Sequence, residues 1–77
     1  MSYILDECRF QTGYAHGGTD KIMDIRTESA ESCFRLVRDY EPRANGLTWE
    51  TTSQNCYAEF DATRIGAGCN QCRACLF

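Results

Sequence analysis

Large aliphatic and aromatic core formers are scarce in this sequence. Leu, Ile, Val and Phe together make up 13 of its 77 residues, below the roughly 20% at which disorder becomes a serious reading. A chain this short buries only about 60% of the surface its unfolded form exposes, so apolar burial alone leaves it marginal. It has room for one domain, residues 1–77. No run of 18 apolar residues occurs, so no segment reads as a membrane-inserting helix. Basic residues are few, 8 Lys and Arg against 11 Asp and Glu for a net charge of -3, and they are scattered. That argues against a nucleic-acid partner. Histidine occurs once, as His16, beside Gly17 and Gly18. Any histidine-dependent chemistry has that single candidate, and a solvated loop residue is the simpler reading of it. No serine stands in a nucleophile-elbow context, and Asp6 and Glu7 are adjacent, a poor arrangement for two carboxylates flanking one bond. A non-enzymatic chain with no cofactor is the expectation.

What the sequence does have is cysteine: Cys8, Cys33, Cys56, Cys69, Cys72 and Cys75. Such density in a short chain implies a fold held by cross-links, which persist in secreted or extracellular settings. The even count fits full pairing, and six cysteines allow about 15 connectivities. Cys69-x2-Cys72-x2-Cys75 also has the look of a thiolate metal site. It lacks the continuation of a ferredoxin run, and no fourth ligand stands at finger spacing. Disulfides are therefore expected and no metal is. Cys69-x-x-Cys72 as a redox pair is disfavoured, because Gly66-Ala67-Gly68 precedes it and no helical pattern follows. The first residues carry neither a basic nor an apolar signal-peptide region, so the chain reads as a mature or excised fragment.

Periodicity divides the chain into short elements. Residues 7–14 read as a strand, 15–20 as a glycine turn and 21–26 as a second strand. Residues 27–40 form the clearest helix. Ala30, Cys33, Phe34 and Val37 make one apolar face, with Thr27 as the expected cap and Pro42 beyond the end. Residues 47–50, 56–60 and 73–77 read as further strands, with 51–55 a polar turn. Strands joined by short turns imply an antiparallel sheet, and one amphipathic helix covers one face of it. The expected class is thus α+β. Cys33 on the helix face and Cys56 beside Ala58 and Phe60 are placed so that a bond between them would staple helix to sheet.

Glu31-Ser32-Cys33-Phe34-Arg35, Ala44-Asn45-Gly46-Leu47-Thr48-Trp49 and Asn55-Cys56-Tyr57-Ala58-Glu59-Phe60 together resemble the PAN/apple module. The likeness spans about residues 24–60. It implies a Cys33–Cys56 bond and a terminal Cys8–Cys75 bond; the family pattern does not supply Cys69 and Cys72, which are left to pair with each other, with swaps among Cys69, Cys72 and Cys75 open. A second helix disulfide of that family is replaced jointly by Val37 and Ala44.

The resemblance implies a disulfide-rich extracellular module for recognition or adhesion that binds a protein or a carbohydrate. It fits either a part of a larger multidomain protein or a secreted monomer. The runner-up is a freestanding secreted effector such as a toxin, a protease inhibitor or an antihaemostatic protein. Tyr57, opposite the Cys56, Ala58 and Phe60 face, is a candidate ligand residue on the uncovered side of the sheet. Arg35 and Arg38, with Arg43, form a candidate basic patch for sulfated sugars, while Trp49 reads as core.

Overall fold

The computed structural model describes residues 8–77. Residues 1–7, with Asp6, Glu7 and the start of the first expected strand, lie outside that range. The helix, α1 (Ala30–Tyr40), forms where the apolar spacing places it, and Ala30, Cys33, Phe34 and Val37 are buried. Its start differs from the expectation. Ser29, not Thr27, is the cap: its extended backbone turns Oγ toward the Ser32 N–H, 3.1 Å away. Thr27 is held outside the helix by backbone bonds. Its N–H donates to the Gln54 carbonyl, and its own carbonyl accepts Trp49 Nε1–H at 3.0 Å.

The strands are β1 (Gln11–Thr12), β2 (Tyr14–His16), β3 (Thr19–Ile22), β4 (Gly46–Glu50), β5 (Cys56–Phe60), β6 (Arg64–Gly66) and β7 (Cys72–Leu76). Five form one antiparallel sheet in the order β1-β7-β4-β5-β3, and β2 pairs with β6 in a separate two-stranded ribbon. Register places Leu47, Trp49, Ala58, Cys56 and Cys75 on the face that meets the helix. Gly46, Thr48, Tyr57, Glu59, Cys72 and Ala74 point the other way. The core contains α1 residues together with Leu47, Trp49, Cys56, Ala58 and Cys75. Trp49 is core, as its alternation with Leu47 implies.

Three disulfides hold this arrangement: Cys33–Cys56 and Cys8–Cys75, the pairs the resemblance implies, and Cys69–Cys72, the pair left over. No cysteine is free, so the C-x2-C-x2-C run offers no thiolates to a metal. The observed class is α+β, one helix on a mostly antiparallel sheet.

Four local expectations are corrected. The strand over 7–14 is broken at Gly13, whose φ of 131° only glycine adopts easily and whose missing Cβ would meet the Gly66 carbonyl. The chain leaves the main sheet there and starts β2, so His16 lies on a strand rather than in a loop. The turn is confined to Gly17 and Gly18, with Gly17 at φ 106°. The strand over 21–26 begins and ends earlier, at Thr19–Ile22. Finally, β6 carries no alternating apolar pattern and was not expected. It pairs with β2, which packs over β4 and β7 on the sheet face expected to stand open.

Candidate functional site

Two concave surfaces flank β3, one on each side of the sheet. The first, of about 310 Å³, lies between β3, the segment after it and the C-terminal half of α1. Met23 and Leu36 form its floor, both partly buried against the core. Ile25 and Tyr40 rise beside them with 60% and 69% of their surfaces exposed, and Ile22 adds 50% at the strand edge. Apolar side chains this large and this exposed, grouped in one groove, mark an interaction surface more often than chance packing. The polar margin is Lys21, Asp24 and Glu41. Lys21 Nζ donates to Glu41 Oε2 at 2.6 Å and ties β3 to the C-cap of α1. The hydrogen bond and then the charge of Glu41 raise the Lys21 pKa above its ordinary value.

Among the described residues β3 is also an edge strand. Met23 N–H donates to the Cys56 carbonyl at 2.7 Å. Hydrogen-bonding residues alternate along an antiparallel ladder, so the backbone groups of Asp20 and Ile22 point away from β5. Their shortness and their charged neighbours guard against self-association, yet leave a place where a further strand can pair.

The second cavity, of about 190 Å³, lies on the other side of the sheet and contains Tyr57. Tyr14, Asp20, Glu50 and Glu59 share it. Glu59 is only 4% exposed. The Thr48 hydroxyl donates to Glu59 Oε2 at 2.8 Å while accepting the Ala15 N–H at 3.1 Å, which fastens the β2–β6 ribbon to the main sheet. Burial pushes the Glu59 carboxyl up to about 7; the charge of Asp20 adds to the rise and the Thr48 hydrogen bond opposes it.

The structure does not bring the sequence-expected site residues together. Tyr57 is half-buried on the face away from the helix, among carboxyl groups that repel sulfated sugars. Arg35 and Arg38 are exposed on α1, across the sheet from it. Arg38 stands 5.5 Å over the Phe34 ring and bonds Asp39 Oδ1 at 3.4 Å, so it is partly engaged by its own helix. His16 Nε2 lies 3.1 Å from the Ala67 carbonyl, which only an N–H satisfies, and its ring packs on Tyr14. Sequence reasoning missed the groove and Glu59. The signal for the groove was Ile22 and Tyr40 falling outside every apolar face drawn from periodicity, while Ile25 shares the alternating face of Met23. Glu59 had no such signal, because it alternates with buried residues as a solvent-facing strand residue does.

No helix among the described residues is long and apolar enough to cross a membrane. No protein-family model, curated protein or solved structure matches the chain.

Proposed function

We propose that this chain is a non-enzymatic, extracellular recognition module of PAN/apple type whose ligand is a protein. Its partner presents an extended segment that pairs with the free edge of β3 and seats an apolar side chain in the groove between β3 and α1. The observation that carries this reading is the groove itself: Ile25 and Tyr40, each more than half exposed, stand beside the outward-facing backbone of β3. An extended segment meets both requirements at once, with main-chain hydrogen bonds for affinity and an anchored side chain for specificity. A carbohydrate meets neither in a pocket floored by Met23 and Leu36. Asp24 and Glu41 at the margin, with a net charge of -3, favour basic residues flanking the anchor. The cross-linked scaffold supports an extracellular setting, where disulfides persist.

The test is capture of extracellular matrix proteins on the immobilised chain, repeated with surface variants and beside a glycan array. Tyr40→Ala and Ile25→Asp should each weaken a captured protein at least about tenfold, the loss typical of an interface hot spot. Tyr57→Ala and Arg35→Ala should leave it bound. Glycan binding abolished by Arg35→Ala, with Tyr40→Ala silent, would overturn the reading.

A further inference from the structure

Asp20 on β3 lies directly opposite Glu59 on β5. Because Met23 and Cys56 are hydrogen-bonded, the alternation makes residues 20 and 59 a non-hydrogen-bonded pair. Opposed side chains come closest in such pairs, with Cβ atoms about 4.5–5.5 Å apart, and like charges there repel. Both residues point to the sheet face away from the helix, into the cavity of Tyr57. The groups facing Glu59 there are Asp20 from β3, Thr48 and Glu50 from β4, Tyr57 from β5, Tyr14 from β2 and Cys72 from β7. None is basic. Lys21, next to Asp20, points to the opposite face and is held by Glu41.

The strands that carry this pair are unequally supported. β5 is flanked on its other side by β4 and is bonded to α1 through Cys56. β3 has one neighbouring strand, four exposed residues and a surface ion pair, a weak tie. Repulsion between the two carboxylates therefore falls on β3.

We propose that Asp20 and Glu59 form a pH-sensitive latch: β3 is held against β5 while Glu59 keeps its proton and loosens when Glu59 ionises. The latch regulates the groove, since Lys21, Ile22 and Met23 of this segment line it, and in that respect it rests on the recognition reading. The raised Glu59 pKa supports it. Burial is the main cause of that rise and the charge of Asp20 adds to it, so β3 loosens as pH rises toward about 7 and Glu59 ionises opposite Asp20.

The test is amide hydrogen exchange of the free protein between pH 5 and pH 8, with rates corrected for intrinsic exchange. Lys21 and Met23 report on β3, and Leu47 of β4 is the reference. Protection at Lys21 and Met23 should fall relative to Leu47 by at least about tenfold, the equivalent of one unit of pKa difference between closed and open strand. Glu59→Gln should abolish this pH dependence, and Asp20→Asn should reduce it by about twofold or more, as expected for removing an opposed charge. An equal fall at Leu47, or an unchanged course in either variant, would overturn the latch. The measurement needs no partner. A protein ligand lost on Tyr40→Ala alongside pH-independent β3 exchange would overturn the latch and leave the recognition reading standing. A working latch with no groove ligand would do the reverse.

Discussion

The two faces of the five-stranded sheet are built on different physics. On the helix side, Leu47, Trp49, Cys56, Ala58 and Cys75 meet Cys33, Phe34 and Val37 in a dry core, and two disulfides end there. On the other side, Thr48 and Glu59 are nearly as inaccessible, yet they are polar and hydrogen-bonded. The β2–β6 ribbon buries them through the Ala15 N–H. The first face is stable because apolar area leaves water and cross-links restrict the unfolded chain. The second is stable only while its polar groups are satisfied and uncharged. One face therefore withstands changes of solution, and the other responds to them.

The sharpest contrast comes from the disulfides. Replacing Cys33 and Cys56 together by Ala should cost roughly 3 kcal/mol of chain-entropy stabilisation. That is a large part of the about 4–12 kcal/mol a chain of this size holds, and the protein should be largely unfolded by circular dichroism at 37 °C. Replacing Cys69 and Cys72 together by Ser removes a bond that closes a far shorter loop and should leave the fold intact. The reverse ranking would mean that the helix-side staple is not the main support.

A second effect separates the faces by pH. Glu59 has a folded pKa raised to about 7 from 4.5, so the native state holds a proton that the unfolded state releases first. The stability it confers is complete below pH 4.5 and is lost as pH rises toward 7 and beyond. The full shift would amount to about 3 kcal/mol, and partial access of water to the cavity reduces this to about 2 kcal/mol. Urea unfolding at pH 4.5 and pH 8 should show that loss, and Glu59→Gln should flatten it. Thr48→Val comes next, at about 1–2 kcal/mol, because it strips the Ala15 N–H of its acceptor and Glu59 of its donor. The same variant should raise the Glu59 midpoint further, which carboxyl NMR reads directly. The smallest effect tests the family likeness on the helix side. Val37 and Ala44 share the core, and the double change to Cys should oxidise with a net gain of at most about 1 kcal/mol after the lost packing of Val37. A bond that fails to form in mass mapping would remove the Val37–Ala44 argument for the PAN/apple resemblance.

The helix side was legible in the sequence because its determinants are local. The spacing of Ala30, Cys33, Phe34 and Val37 defines a helix face, and alternation through Leu47, Trp49, Cys56 and Ala58 defines a strand face. The other side was not legible, because Thr48, the hydrogen-bond partner of Glu59, is fixed by a ribbon joined across about fifty residues of sequence, from Tyr14–Gly66 to His16–Arg64. Its strands are too short to carry a period, and the Gly13 break that creates β2 is a backbone event with no side-chain signature. Thr27 illustrates the same limit. Its composition suits a helix cap, but a tertiary bond from the Trp49 indole holds it two residues short of one. Of the candidate ligand residues, Tyr57 was placed on its true face by alternation, while the groove was hidden because it joins β3 to a helix distant in sequence.

The contrast between the two faces turns on the state of one carboxyl group, that of Glu59. Selective carbon-13 labelling of glutamate, followed by NMR titration from pH 3 to pH 9, reads the Glu59 midpoint without any ligand or mutation beyond the assignment variant Glu59→Gln. A carboxyl group as buried as Glu59 requires that midpoint to lie near 7. A midpoint near the ordinary 4.5 would show that Glu59 is open to water, and would contradict both the covered face and the latch built on it.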